Sequence, residues 1–161
     1  MTRLAIALVL ALSGPRGSVV PKYVLTVSGD GMKAIHLSVS ELEAMPQAKA
    51  SVRESDGSES VCAGAPVIEV LKRAGLVLNE HPGKAMSAYV SVRSMDRYQV
   101  VFGLGELVPA ISGRSIFLAT RVNGKPLGAN VGPVRLVVDG DKMQARSARM
   151  VTELKLVQLR K

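Results

Sequence analysis

The sequence has few of the residues that most catalytic and binding sites require. Its 161 residues include a single cysteine, Cys62, which excludes an internal disulfide framework and any cluster of thiolates. Two histidines are too few for the usual zinc sites. Trp is absent, and only three Tyr and two Phe are present, so there is little to stack on nucleic-acid bases. No apolar run reaches the roughly 18 residues of a membrane-spanning helix. We therefore expect neither a nucleic-acid partner nor a membrane span in the mature chain.

The composition is that of one folded domain with an uneven charge. The chain is 47% hydrophobic and 21% charged, an ordinary globular balance, and its length is that of a single domain. Residues 1–110 carry eleven Lys or Arg and ten Asp or Glu, whereas residues 111–161 carry ten and three. The basic last third indicates either a solvated surface or a pocket for an anionic ligand, and both interpretations stay open.

The first 18 residues have the layout of a secretory signal. Arg3 precedes the apolar run Leu4–Leu12, and small, helix-breaking residues follow. A buried first strand or helix is the alternative. We expect residues 1–18 to be a signal peptide and residues 19–161 to form a single periplasmic domain. In that oxidising compartment Cys62 would be buried, reactive or paired between chains.

Hydrophobic periodicity predicts short strands with few helices between them. Ser40 and Glu43 match a capping box, which predicts a short helix to about Met45. Pro66 fits the first position of a second helix that Gly75 closes. The predicted strands lie at 19–28, 34–39, 49–54, 59–63, 88–92, 98–102, 115–122, 134–138 and 147–157. This pattern predicts an α+β fold with mixed, mostly antiparallel sheets and two or three short helices.

Arg135 is the most informative charged residue because it begins an apolar strand, where a lone charge is costly unless it is paired. With Arg146 and Arg149 it could form a donor-rich anion site, since guanidinium groups suit phosphates and the edges of planar heterocycles. Structural salt bridges are the alternative, and the nearby carboxylates are Asp139, Asp141 and Glu153. The spacing alone does not decide between the two.

Two other groups allow a chemical and a structural interpretation. Cys62 could be a metal-ligating thiolate, but a small buried thiol at the end of a strand is commoner. No His or second Cys lies near it in sequence to lower its pKa. Asp96 and Tyr98 could be an acid/base pair, or a turn aspartate followed by a tyrosine in a sheet.

Five short motifs follow one another in a recognisable order between residues 23 and 157. They are Gly64–Leu71 with Ala74-Gly75, Asp96-Arg97-Tyr98, Phe117-Leu118-Ala119, Asn123–Leu127 and Gly132–Val138. In this order they resemble the molybdopterin-binding domain of the sulfite oxidase family, and more closely its small, stand-alone exported members. The resemblance implies a molybdopterin-domain fold.

The resemblance also implies which residues bind a ligand. The segment Gly64–Leu71 resembles the family's Gly-Val-Pro-Leu helix. The family's enzymes hold molybdenum through a cysteine in a loop upstream of that helix, but Cys62 adjoins the helix, so the ligand role is not carried over. The family's ligand-binding Arg is kept as Arg135, its Lys falls at Arg149, and its His appears as Asn130. The implied ligand-binding residues are Tyr98, Asn130, Arg135, Arg146, Ser147 and Arg149, with no catalytic residue and no metal ligand.

The expected function follows from this partial match. We expect a periplasmic, non-catalytic protein that binds a pterin or a similar flat, anionic or hydrogen-bonding molecule. Some stand-alone members are pterin sensors that report to a membrane-bound signalling enzyme, so a membrane-bound signalling partner is also expected. One alternative is a molybdenum-cofactor oxidoreductase that uses Cys62. Another is a structural or interaction module with a vestigial pocket.

Overall fold

Two five-stranded sheets organise the part of the chain that the computed structural model describes, residues 22–78 and 86–159. The strands are β1 Leu25–Gly29, β2 Ile35–Leu37, β3 Ala48–Arg53, β4 Glu59–Pro66, β5 Ala88–Ser94, β6 Gln99–Gly103, β7 Ile116–Val122, β8 Lys125–Pro126, β9 Arg135–Val138 and β10 Val151–Gln158. The helices are α1 Val39–Glu43, α2 Val67–Arg73 and α3 Pro109–Ser112, with 3-10 turns at Leu104–Leu107 and Gln144–Arg146. The predicted signal peptide lies outside the described residues. None of the described helices is long and apolar enough to cross a membrane.

The strand order is mixed and mostly antiparallel, which confirms the predicted fold class. The first sheet has the order β2-β1-β10-β5-β6, in which only β1 and β10 are parallel. In the second sheet β3, β4 and β7 lie side by side, and β8 and β9 share the far edge of β7. The last strand, β10, therefore lies between the first strand, β1, and β5.

The apolar side chains form two buried clusters. The larger one joins the two sheets with α1 and α2 and contains Leu71, Val90, Leu118 and Leu154. The smaller one lies on the opposite face of the second sheet and consists of Ala50, Val52, Cys62, Phe117, Ala119 and Val137. Gly64 brings β4 and β7 together, because a Cβ there would lie 1.9 Å from the carbonyl oxygen of Leu118.

The start of α1 corrects one prediction. The capping box is formed by Ser38 and Glu41, not by Ser40 and Glu43. Both pairs match the sequence pattern. The earlier start lets Leu42 point into the core and leaves Glu43 to pair with a strand residue. Pro66 likewise ends β4 and precedes α2 instead of opening the helix.

The last strand is shorter than predicted because its first four predicted residues are not in a sheet. β10 begins at Val151, just after Met150, whose φ of 48° lies in the left-handed region. The backbone before Val151 makes its hydrogen bonds elsewhere. The carbonyl of Ala148 accepts from the amide of Leu136 in β9 at 2.8 Å, and the amide of Met150 donates to the carbonyl of Val131, before β9, at 2.9 Å. The segment that carries Ser147 and Arg149 is therefore part of a loop.

Candidate functional site

The loop of residues 139–150, between β9 and β10, meets elements of both sheets and carries half of the predicted ligand-binding residues. From the first sheet, the amide of Met95 donates to the carbonyl of Met150 at 2.9 Å. The hydroxyl of Tyr98 donates to the carbonyl of Ala145. Asn130 and Arg149 flank the Met150–Val131 hydrogen bond, so their backbones are neighbours. The loop thus brings Tyr98, Asn130, Ser147 and Arg149 to one end of the molecule.

Arg135 is buried and already has an anionic partner. Its side chain is 3% exposed, and its guanidinium donates to both carboxylate oxygens of Glu54, at 2.9 and 3.3 Å. A second donor reaches the side-chain oxygen of Gln144 at 2.9 Å. Its Nε has no hydrogen-bond partner among the described residues. The structural alternative of salt bridges is confirmed for Arg146, which pairs with Asp141, whereas Glu153 pairs with Arg93. The partner of Arg135, Glu54, was not among the carboxylates suggested by the sequence.

Glu54 is the functional neighbour that sequence reasoning missed. It follows β3 and is held by a tight turn, in which its amide donates to the carbonyl of Ser58 at 2.7 Å and Gly57 takes a φ of 83°. The predicted strands 49–54 and 59–63 are present as β3 and β4, but Glu54 and Arg135 are 81 residues apart. No local spacing could have joined them, because the contact depends on β3, β4, β7 and β9 lying in one sheet.

Arg146 is also neutralised inside the protein. Its guanidinium donates to both oxygens of Asp141, at 3.0 and 2.9 Å, and to Glu106 at 2.9 Å. Its central carbon lies 5.1 Å from the centre of the Phe102 ring, which suits a cation–π contact. The Arg146 hydrogen bonds hold the pKa of Asp141 below its usual value, and those from Asp141 and Glu106 raise the pKa of Arg146. Arg146 therefore fastens the 139–150 loop to the turn after β6.

The remaining predicted residues form an accessible rim. Arg149 and Asn130 are exposed, and Arg149 makes no salt bridge within the described part of the chain. Tyr98 is 45% exposed, and Ser147 is half-buried. Asp96 accepts from the amide of Tyr98 at 3.0 Å, which favours its role in the turn over an acid/base role. The rim therefore offers a guanidinium, an amide and the Ser147 hydroxyl to a ligand, whereas the Tyr98 hydroxyl donates to Ala145 and can only accept from one.

Cys62 lies inside β4 and is wholly buried in the smaller cluster, against Phe117 and Ala119. This burial raises the pKa of the Cys62 thiol. Arg135 would favour a thiolate here, but its charge is balanced by Glu54, which opposes one. Within the described residues, no group of three or more His, Cys, Asp or Glu side chains could hold a metal ion.

Comparisons with known proteins agree with this fold. The structure is similar to the crystal structure of the sulfane dehydrogenase SoxCD from Paracoccus pantotrophus, with a TM-score of 0.63 and 16% sequence identity. The match covers 84% of this chain and 38% of the other, so the chain spans about two fifths of that protein. No curated protein matches the sequence. Residues 14–161 match the model of the oxidoreductase molybdopterin binding domain, and the chain therefore belongs to this family.

Proposed function

We propose that this chain is a periplasmic, non-catalytic binding protein of the family, whose ligand is a pterin or a similar flat molecule with an anionic or hydrogen-bonding edge. A membrane-bound signalling protein would read its occupancy. The N-terminal pattern of Arg3, Leu4–Leu12 and small residues supports export. The resemblance to the stand-alone exported members supports the partner.

The burial of Cys62 is the observation that carries the non-catalytic assignment. A molybdenum centre of the family's kind needs a protein thiolate that the metal can reach. Cys62, the chain's single cysteine, has no exposed surface, lies among apolar side chains and has a raised pKa. The residues present therefore do not fit the metal centre, and no step of a redox reaction is assigned to them.

The exposed rim is the part of the site that fits a ligand. Arg149 can give paired donors to a planar edge, and Asn130, Ser147 and Tyr98 add neutral donors and acceptors beside it. Arg135 and Arg146 are positioning residues, because each holds the 139–150 loop. Arg135 does so through the side-chain amide of Gln144, and Arg146 through the carboxylate of Asp141. A ligand at the rim would contact the loop without breaking either ion pair.

Calorimetry with oxidised and reduced pterins tests the binding assignment. Replacing Arg149 by alanine should weaken pterin binding by roughly 10- to 150-fold, the effect of losing a hydrogen bond to a charged group. Arg73→Ala is the matched control, since Arg73 is also exposed but lies on α2. If the wild type binds no pterin at millimolar concentration, or if both variants behave alike, the rim is not a pterin site and the module with a vestigial pocket becomes the better interpretation.

Elemental analysis of protein purified from a host that makes the molybdenum cofactor tests the non-catalytic assignment. We expect no molybdenum. Near-stoichiometric molybdenum that disappears in Cys62→Ser would establish the alternative, an oxidoreductase that uses Cys62. Fractionation tests the localisation: the protein should be periplasmic and shorter than its full length, and full-length protein in the cytosol would contradict export.

A further inference from the structure

The edge of the first sheet that β6 forms differs from the other sheet edges among the described strands. β2 has three residues, and β8 has two, Lys125 and Pro126. β3 carries the exposed charges of Lys49 and Arg53, and β9 is covered by the hydrogen bond from Leu136 to Ala148. Shortness, proline, charge and coverage are the usual ways in which proteins prevent a further strand from pairing with an edge. Each of the edges formed by β2, β3, β8 and β9 has at least one of these protections.

Within residues 22–78 and 86–159, β6 has none of these protections. It has five residues, Gln99–Gly103, with no charge and no proline, and it pairs with β5 alone among the described strands. The amide of Ser94 donates to the carbonyl of Tyr98, so by antiparallel alternation the backbone groups of Gln99 and Val101 point away from β5. Val101 is 53% exposed. Gly103 is the one partly covered position, since Glu106 accepts from its amide at 3.1 Å.

A groove of about 260 Å³ lies beside this edge, on the outer face of the first sheet. The end near Gly103 is apolar, with Tyr89 and Val157, and the middle holds Val101, Ser91 and Lys155. The other end is polar and holds Gln99 with Arg93 and Glu153, which pair with each other at 3.6 Å. Its volume is below the roughly 300–1,000 Å³ of small-molecule sites, and one or two side chains would fill it. The combination of a free edge and an adjacent groove is typical of domains that bind an extended segment as an additional strand.

Gly103 opens the apolar end of the groove towards the edge. It lies opposite Tyr89 in the β5–β6 register. A Cβ at Gly103 would meet only Glu106, at 3.7 Å, so there is empty space where a side chain would stand. A side chain of an added strand can therefore enter beside Tyr89. Two residues further along, next to Val101, an added side chain would lie across Ser91 from Lys155. Lys155 makes no salt bridge among the described residues.

We propose that β6 binds an extended segment of a second protein, with an apolar or aromatic side chain towards Tyr89 and an acidic side chain towards Lys155. A second copy of this chain is the less suitable occupant, because each copy carries a net charge of +8, or +6 without residues 1–18, and the copies repel each other. A segment with acidic residues has the complementary charge. This surface is on the outer face of the first sheet, and its use does not depend on pterin binding at the rim.

A synthetic peptide provides the test. The probe is a capped eight-residue peptide that alternates Thr with Glu, Val and Phe, and the comparison peptide has Lys in place of Glu. We expect the acidic peptide to bind in the micromolar to millimolar range, to shift the amide resonances of Gln99 and Val101, and to bind at least tenfold more tightly than the Lys peptide. Each lost backbone hydrogen bond should weaken binding by about two- to tenfold.

Three variants separate the edge from the rest of the protein. Val101→Glu should reduce binding at least tenfold through repulsion, and Val101→Pro should do so by removing an outward amide. Val61→Glu is the matched control, since Val61 is 47% exposed but lies on β4, which is paired on both sides. The control should bind normally. No binding at millimolar concentration, equal binding of the Lys peptide, resonance shifts at Arg149 instead of β6, or self-association that Val101→Glu abolishes would each overturn the proposal.

Discussion

Arg135→Ala tests whether this buried arginine is a structural residue or an accessible ligand-binding one. The substitution removes the partner of Glu54, whose carboxylate is 21% exposed and cannot turn freely into water. Breaking a fully buried ion pair by deleting one partner costs about 3–5 kcal/mol. Because Glu54 keeps some contact with solvent, we expect a loss of about 2–4 kcal/mol in the free energy of unfolding.

Thermal and urea unfolding measure this loss. For a domain of this size, 1 kcal/mol corresponds to roughly 3–5 °C in Tm, so Arg135→Ala should lower Tm by about 10 °C. Arg149→Ala is the control of the same residue type; it removes an exposed side chain without a salt bridge in the described part of the chain and should change stability by less than about 0.5 kcal/mol.

The double variant Arg135→Met, Glu54→Leu shows where the loss comes from. Replacing both charges by apolar side chains leaves no unpaired buried charge, and such replacements are often neutral or stabilising. The double variant should therefore be more stable than Arg135→Met alone. Our reasoning is wrong if the Tm of Arg135→Ala lies within 2 °C of the wild type, or if the double variant is less stable than Arg135→Met. Either result would show that the Glu54–Arg135 pair does not hold the end of β3 to β9.

Three further predictions concern single residues. Arg97 has a φ of 69°, in the left-handed region that favours glycine, so Arg97→Gly should raise stability by about 0.5–1 kcal/mol in urea unfolding; a loss would show that its side chain matters more than its backbone. The native Cys62 thiol should resist a charged maleimide at pH 8 for hours and react within minutes in urea, because burial raises its pKa and excludes the reagent; rapid native labelling would contradict its burial. The pKa of Asp141 is lowered in the folded state, so its contribution to stability is complete above about pH 4, the ordinary range of an aspartate, and is lost as the pH falls through the folded value. Asp141→Asn should accordingly make stability less dependent on pH below about pH 4, and an unchanged profile would count against the Arg146 pairing.

Features that depend on neighbouring residues could be predicted from the sequence. Asp56-Gly57 and Asn123-Gly124 mark tight turns because Gly57, Asn123 and Gly124 take positive φ angles, which these residue types tolerate. The apolar positions of α2 and the buried strands β7 and β9 follow from spacing and length in the same way. Boundaries were less predictable, since two serine-glutamate pairs competed for the start of α1.

Features that depend on the arrangement of distant strands could not be predicted. The parallel pairing of β1 with β10 joins the two ends of the described chain, and no local pattern indicates it. The ion pair of Glu54 with Arg135 is the same kind of contact. The motif order indicated the position of Arg135 but not its partner, because Glu54 lies outside the five motifs and reaches Arg135 only through the arrangement of the strands.

The contrast between Arg135 and Arg149 connects the fold to the proposed function. Both stand where the resemblance places ligand-binding cations, yet Glu54 and Gln144 occupy three donor contacts of Arg135, and Arg149 is exposed without a salt bridge in the described residues. An anionic ligand would have to displace a bidentate carboxylate to reach Arg135, at the energetic cost of leaving Glu54 unpaired. Arg149 requires no such displacement. The two positions should therefore separate in experiment: Arg135→Ala should lower stability first, and Arg149→Ala should lower pterin affinity while Tm stays within about 2 °C of the wild type. A loss of affinity in a correctly folded Arg135→Ala protein, with Arg149→Ala unaffected, would move the ligand from the rim to the buried pair.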